Sequence, residues 1–305
     1  MNTLTLKSSY DDLNLAVAYK EPETEPAGIV QIVHGMCEHK ERYNEFMEFL
    51  ASKGFICVIH DHRGHGASVK RPEDLGYMYA GGWKALVEDI EVVRKWSSEK
   101  WPGLKRTLLG HSMGSMAVRS YTKRYDNNID KLIVCGSPSF NPAGGVAKFL
   151  ANFFAKVKGD HYRPQLLQDL SFGSFNKPFR DEGFESAWVC SNRSVLEAYH
   201  QNPLCQFIFT ANGFSNLIGL MKDCYSRKGW SMSNPKMPIM FISGADDPCR
   251  GNDKRHNRSV ALMNKVGYVN ITNIVYPEMR HEILNETDKQ KVWTQVEKFV
   301  EGISA

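Results

Sequence analysis

The pentapeptide Gly110-His111-Ser112-Met113-Gly114 is the part of this 305-residue chain best suited to chemistry. A serine hydroxyl is a weak nucleophile until a base takes its proton, and the base needs a third group that orients it and balances its charge. Here the serine follows an apolar run, Thr107-Leu108-Leu109, and precedes a helix-like stretch from Ser115 to Tyr125. Strand, sharp turn and helix in that order hold the hydroxyl up at a strand end. The free N–H groups of the helix start lie beside it and favour developing negative charge. So tight a turn crowds the backbone, and the flanking residues Gly110 and Gly114 must therefore lack a Cβ.

Loops that follow other strand-like runs supply the remaining groups. After Ile239-Met240-Phe241-Ile242 comes Ser243-Gly244-Ala245-Asp246-Asp247-Pro248-Cys249, and after Ile271 to Tyr276 comes Pro277-Glu278-Met279-Arg280-His281-Glu282. His281 is the expected base. Asp247 is the preferred acid, because it stands three residues beyond Gly244 and Pro248 biases its backbone to an extended form; Asp246 is the alternative. Serine, acid, histidine is the chain order of an α/β-hydrolase, with every member after a strand, where an open parallel sheet places its ligands. A tetrahedral oxyanion needs two convergent N–H donors. One is expected from the backbone of Met113, and the other from the loop after the Gly28 to Val33 strand, at Met36.

The elements that must position these groups read as an α/β fold. Thr3–Lys7 and Leu13–Lys20 alternate as an antiparallel pair. The runs 28–33 and 55–59 are near-continuously apolar, as in strands buried on both faces, and 107–109, 132–135, 239–242 and 271–276 also read as strands. Amphipathic helices are expected at 43–52, 83–96, 115–125 and 289–300. From Pro138 to Pro235 strand patterns vanish and aromatics crowd in, among them Phe149, Phe153, Phe172, Phe175, Trp188, Phe207, Phe209 and Phe214. Residues 1–137 and 236–305 thus form a core with a mostly parallel sheet and helices on both faces. Residues 138–235 are expected to be a helical cap over its carboxyl edge. Roughly half of the cap aromatics are expected to form its own small core, and the others an acyl pocket.

Composition narrows the function. With 38 Lys and Arg against 34 Asp and Glu, the net charge of +4 is too mild and too dispersed for a nucleic-acid partner. No stretch approaches the roughly 18 apolar residues of a membrane span, although transient contact with a membrane surface stays compatible with the chain. The amino terminus lacks a signal-peptide pattern. The seven cysteines are odd in number and include no C-x-x-C pair, which points to reduced thiols and a cytoplasmic location.

The segments HGMCEHKERY at 34–43, DHRGHGAS at 61–68, GHSMG at 110–114, SGADDP at 243–248 and YPEMRHEILNE at 276–286 resemble the monoacylglycerol lipase and lysophospholipase family of α/β-hydrolases. AYHQNPLCQFIFT at 198–210 is similar to its bacterial lysophospholipase members. The resemblance implies Ser112 as nucleophile, Asp247 and His281 as its partners, and Met36 and Met113 as oxyanion donors. It also implies a serine hydrolase acting on carboxylic esters of lipid-like substrates, with no metal and no organic cofactor. Cys37 stands where the family often carries glycine in H-G-x-G-E-H, and is expected to be a buried, inert thiol.

Other readings are a small-ester carboxylesterase, an aminopeptidase on the same fold, and a non-catalytic binding protein. An aminopeptidase would need cap acids to hold a free amino terminus, and Asp160, Asp169, Asp181, Glu182, Glu185, Glu197 and Asp223 are scattered. His60-Asp61-His62-Arg63-Gly64-His65 mimics a zinc motif, but Gly64 occupies the place of that motif's aspartate, so these residues are expected to shape the core instead.

Overall fold

A computed structural model describes residues 1–302. In chain order its elements are β1 (Asn2–Lys7), β2 (Asn14–Lys20), β3 (Gly28–Val33), α1 (Asn44–Ser52), β4 (Phe55–His60), α2 (Gly82–Lys100), β5 (Arg106–His111), α3 (Met113–Tyr125) and β6 (Lys131–Cys135). Four helices follow: α4 (Gly144–Lys158), α5 (Gln165–Phe172), α6 (Arg193–Gln201) and α7 (Ala211–Cys224). The chain closes with β7 (Ile239–Gly244), α8 (Asp253–Val266), β8 (Ile271–Tyr276) and α9 (Lys289–Glu301). The eight strands make one sheet in the order β1-β2-β4-β3-β5-β6-β7-β8, antiparallel at β1-β2 and β2-β4 and parallel elsewhere.

The central strands are buried along their whole length because they are covered twice. Leu108, Leu132, Val134, Ile239 and Phe241 face a core shared with α2, α3 and α7. Their neighbours Leu109, Ile133, Cys135, Met240 and Ile242 face a second core with α1 and α9. Successive strand side chains point to opposite faces, so a continuous apolar run is what a doubly covered strand requires.

Order within the sheet also decides where a site can form. From β3 the chain crosses to β4 on one side, whereas β5 lies on the other, so the order reverses between β3 and β5. A crevice opens at the carboxyl ends of such a pair. The loops that leave those two ends carry Met36 and Ser112.

Three helices extend beyond their sequence-expected bounds, α9 by one residue to Glu301. The helix after Ser112 starts at Met113, directly off the strand, and α2 runs past Trp96 to Lys100. The added turn of α2, Ser97-Ser98-Glu99-Lys100, is polar and carries no apolar period to read, yet Ser97 Oγ bonds back to Val93 O at 2.9 Å. Between β6 and β7 the described residues hold helices and turns without a strand. Helix α7 is fastened to the start of α2 and the segment before it: Asn212 Oδ1 accepts from Met78 N at 3.0 Å and Asn216 Oδ1 from Trp83 N at 3.1 Å.

Candidate active site

The β5–α3 turn shows why its residues are small. Ser112 has φ 53° and ψ −117°, an unusual conformation for a residue with a Cβ, and one that costs on the order of 1–3 kcal/mol. A Cβ on Gly110 would come within 2.4 Å of Gly114 O, and one on Gly114 within 2.0 Å of Val33 O. Without side chains at both positions, α3 can start against β3 and leave Ser112 at the crest of the turn.

His281 and Asp247 meet Ser112 there. His281 Nε2 lies 2.8 Å from Ser112 Oγ, and His281 Nδ1 lies 3.0 Å from Asp247 Oδ2. An ionised carboxylate only accepts, so Asp247 fixes the proton on Nδ1 and leaves Nε2 free to accept the serine proton. Asp247 is 1% exposed and its second oxygen takes the Cys249 amide at 2.8 Å, whereas Asp246 remains on the surface. The distinction between the two aspartates follows from the loop: Asp246 N bonds to Met279 O at 3.0 Å, which turns the next side chain inward.

Met36 lies in the loop after β3, next to Gly35, where a Cβ would come within 3.0 Å of Ser112 Cβ, and Met113 is the first residue of α3, directly after Ser112. Neither amide meets an acceptor among the described residues, which leaves both free to donate to an incoming oxyanion. Cys37 follows with φ 54°, a left-handed conformation that favours glycine, and this is the physical content of its departure from H-G-x-G-E-H. Its Sγ donates to Phe207 O at 3.1 Å, and burial pushes the thiol far above its ordinary pKa.

Behind these groups lies a charged network to which the sequence reading gave no role. Glu38 accepts from the Gly35 amide, from Tyr43 Oη at 3.1 Å, from Arg42 at 3.2 Å and from His111 Nδ1 at 3.1 Å. Arg42 in turn holds Glu282 through two bonds of 2.5 and 2.6 Å. Burial opposes charge on both members of the His111–Glu38 pair, but their mutual hydrogen bond and attraction win: His111 is raised above its ordinary pKa and Glu38 is lowered. The other nitrogen of His111 reaches His281 O at 3.3 Å. One buried network therefore grips both the Gly35 loop and the backbone of His281. The available signal was local: an unbroken charged and polar run, Glu38-His39-Lys40-Glu41-Arg42, directly after a strand loop, and a glutamate directly after His281.

Residues from the stretch between β6 and β7 complete the surroundings. The Trp188 ring stands 5.2 Å from that of His281, and Trp188 packs on Phe172 and Phe175. Arg280 donates to Glu182, to Ala187 O at 2.7 Å and to Cys190 O at 3.1 Å, tying this segment to the histidine loop. Phe209 and Phe214 are core, at 0% and 1% exposure. Phe149 and Phe153 are neither core nor pocket lining. At 70% and 51% exposure they form an outer stripe of α4 with Val146 and Val157, because positions 146, 149, 153 and 157 share one helix face.

The histidines of the zinc-like stretch serve packing. His34 Nε2 accepts from His62 N at 2.9 Å and His62 Nε2 lies 2.9 Å from His34 O, which fastens the β3 and β4 loops together, while His65 Nδ1 lies 3.1 Å from Arg63 O within the β4 loop. Among the described residues, the group of His, Cys and acid atoms close enough to share a metal is Asp247, Cys249 and His281, within 4.8 Å of one another. Two of its three members already face each other as acid and imidazole.

Known proteins resemble the chain over most of its length. A family model described as Hydrolase_4, serine aminopeptidase S33, matches residues 24–288. A monoacylglycerol lipase of Mycolicibacterium smegmatis is 27% identical over 92% of this chain and 90% of its own. Phospholipase YtpA of Bacillus subtilis is 23% identical over 90% of this chain and 96% of its own. A thermostable carboxyl esterase from Bacillus coagulans, solved with glycerol, superposes with a TM-score of 0.91 at 24% identity, over 99% of this chain and 98% of that one.

Proposed function

The chain belongs to the Hydrolase_4, serine aminopeptidase S33, family, and we propose that it is a serine hydrolase cleaving carboxylic esters of monoacylglycerol- or lysophospholipid-like substrates through an acyl-enzyme. The observation that carries this is the unbroken chain from Ser112 Oγ through His281 to Asp247, at 2.8 and 3.0 Å. In the mechanism, Ser112 attacks the ester carbonyl while His281 Nε2 takes its proton. Asp247 holds the tautomer and balances the imidazolium charge. The Met36 and Met113 amides receive the oxyanion, each such donor being worth about 3 kcal/mol of barrier. His281 returns the proton to the departing alcohol, then activates water to clear the acyl group.

Lipid-like esters are favoured over amino-terminal peptides by the surroundings. Trp188, with Phe172 and Phe175 behind it, offers apolar surface beside His281, worth about 0.8 kcal/mol for each acyl methylene buried. The acids of the insertion are engaged elsewhere or on the surface: Glu182 is paired with Arg280, Asp223 with Arg124 and Lys123, Glu197 with Arg193, and Asp181 and Glu185 are exposed. In this reading residues 138–235 act as the cap. Among the described residues no helix is long and apolar enough to cross a membrane, while the α4 stripe with the exposed Leu166 and Leu170 of α5 rests transiently on lipid surfaces. A cytoplasmic setting is supported by seven free cysteines. Recovery of the chain from the medium or the envelope after cell fractionation would refute that setting.

The test is a panel of monoacylglycerols, lysophospholipids, short p-nitrophenyl esters and amino-acid anilides, with wild type and Ser112→Ala, alongside labelling by a fluorophosphonate. Labelling that Ser112→Ala abolishes, with kcat/KM rising along the acyl chain, is the expected result. Undiminished turnover by Ser112→Ala defeats the mechanism, and preference for anilides or acetyl esters defeats the substrate class.

A further inference from the structure

A concave site lies apart from Ser112, Asp247 and His281, none of which lines it. Phe140 and Pro142, from the stretch before α4, face Tyr225 at the end of α7 and Arg255, Arg258, Ser259, Leu262 and Lys265 of α8, around a groove of ≈ 540 Å³. That volume is within the range of small-ligand pockets, roughly 300–1,000 Å³. Positions 255, 258, 262 and 265 recur at helical spacing, so one face of α8 offers three cations around an apolar centre. Arg250, on the turn before α8, is neutralised by Asp253, and Arg124 and Lys123 on α3 are neutralised by Asp223. Arg255, Arg258 and Lys265 have no ion pair among the described residues.

The interior adds charge to the same place. Arg119 is fully buried, and its guanidinium carbon sits 4.6 Å from the centre of the Tyr225 ring. Its hydrogen bonds go to Ser115 O and Ser137 Oγ, neither of them charged, and its Nη1 has no partner. Tyr225 is locked by bonds from its hydroxyl to Pro138 O at 2.6 Å and Ser259 Oγ at 2.7 Å, so the wall between Arg119 and the groove is fixed. Phe140, 45% exposed, closes on Tyr225 with ring centres 5.5 Å apart.

From this combination of unneutralised cations and an apolar floor, the geometry points to a binding site for a single-chain anionic amphiphile. The carboxylate or phosphate head lies among Arg255, Arg258 and Lys265, and the chain lies along Leu262, Phe140 and Tyr225. Guanidinium groups suit either head because they offer paired donors to planar or tetrahedral oxyanions. A fatty carboxylate is also the product class of the reaction proposed for Ser112, an identification that rests on that reading; the groove itself does not.

The test uses full-length protein whose Ser112 has been phosphonylated, which keeps ligand out of the ester site. Sub-micellar laurate and dodecyl phosphate are titrated by calorimetry, with dodecyltrimethylammonium as the control of equal chain and opposite charge. One equivalent of laurate, of dodecyl phosphate or of both is expected to bind saturably, and the tighter of the two identifies the head group. Affinity is expected to fall at least 10-fold in the double variant Arg255→Glu, Arg258→Glu and several-fold in Phe140→Ser. Unchanged turnover of a short ester by these variants, without amphiphile, certifies their folding. The proposal is overturned if neither anion binds, if the charge reversals leave binding unchanged, or if the cationic amphiphile binds equally well. Failure of the phosphonate to label the protein would refute the reading of Ser112 instead, and the titration would then be run on Ser112→Ala.

Discussion

Glu282→Ala is expected to weaken both the fold and the catalyst, because the residue anchors Arg42 directly beside His281. Arg42 and Glu282 have side chains 11% and 5% exposed and are joined by two hydrogen bonds. Removing one partner of a buried pair costs about 3–5 kcal/mol, mainly through the stranded charge. Arg42 keeps Glu38 at 3.2 Å, which places Glu282→Ala at the low end, about 3 kcal/mol. Arg42→Ala strands two carboxylates and belongs at the upper end, about 5 kcal/mol. With a slope of about 3 kcal/mol per molar urea, Glu282→Ala shifts the first unfolding midpoint down by about 1 M. In activity, kcat is expected to fall about 10- to 100-fold with little change in KM, since the network touches the His281 backbone and the Gly35 loop but not the substrate. The double variant Arg42→Met, Glu282→Leu removes both charges at similar volume and is expected to recover most of the stability but not the rate. Urea titration and steady-state hydrolysis of a p-nitrophenyl ester read the two quantities. A midpoint shift below about 0.2 M, or additive effects in the double variant, would show that the pair does not hold this region.

Acid should destabilise the protein early. His60 and His65 are buried, and desolvation lowers each from 6.5 to about 4. The unfolded chain takes up protons below pH 6.5 that the folded one refuses, so each ring removes stability as pH falls from about 6.5 to 4, about 3 kcal/mol across the window. His34 and His62, also depressed by burial, act in the same direction. A urea midpoint that stays flat from pH 7 to 4.5 would contradict this. At position 37, φ of 54° makes Cys37→Gly nearly neutral in melting temperature, the relieved backbone offsetting the lost Sγ contact, whereas Cys37→Val is expected to lose 2 kcal/mol or about that. Equal melting temperatures for the two variants would count against the strain. Phe149→Ser with Phe153→Ser is expected to reduce co-sedimentation with phospholipid vesicles several-fold while leaving hydrolysis of a dissolved short ester unchanged, and undiminished sedimentation would dismiss the α4 stripe as a lipid contact.

The sequence by itself determined the α/β framework and the segments that carry the chemistry. The reason is local. A doubly covered strand must be apolar throughout, and a strand that turns into a helix around Ser112 must have glycine at 110 and 114, so both constraints are written in contiguous residues. Spacing alone could favour Asp247 over Asp246, since Pro248 acts on its immediate neighbour. Tertiary structure decided what depends on residues far apart in the chain. Glu38, Arg42, His111 and Glu282 form one network only after β3, β5 and the loop beyond β8 are brought to the same sheet edge. Phe149 and Phe209 have the same side chain in the same aromatic-rich stretch between β6 and β7. One faces outward and the other is core, because burial is set by what packs against a helix or loop and not by residue type.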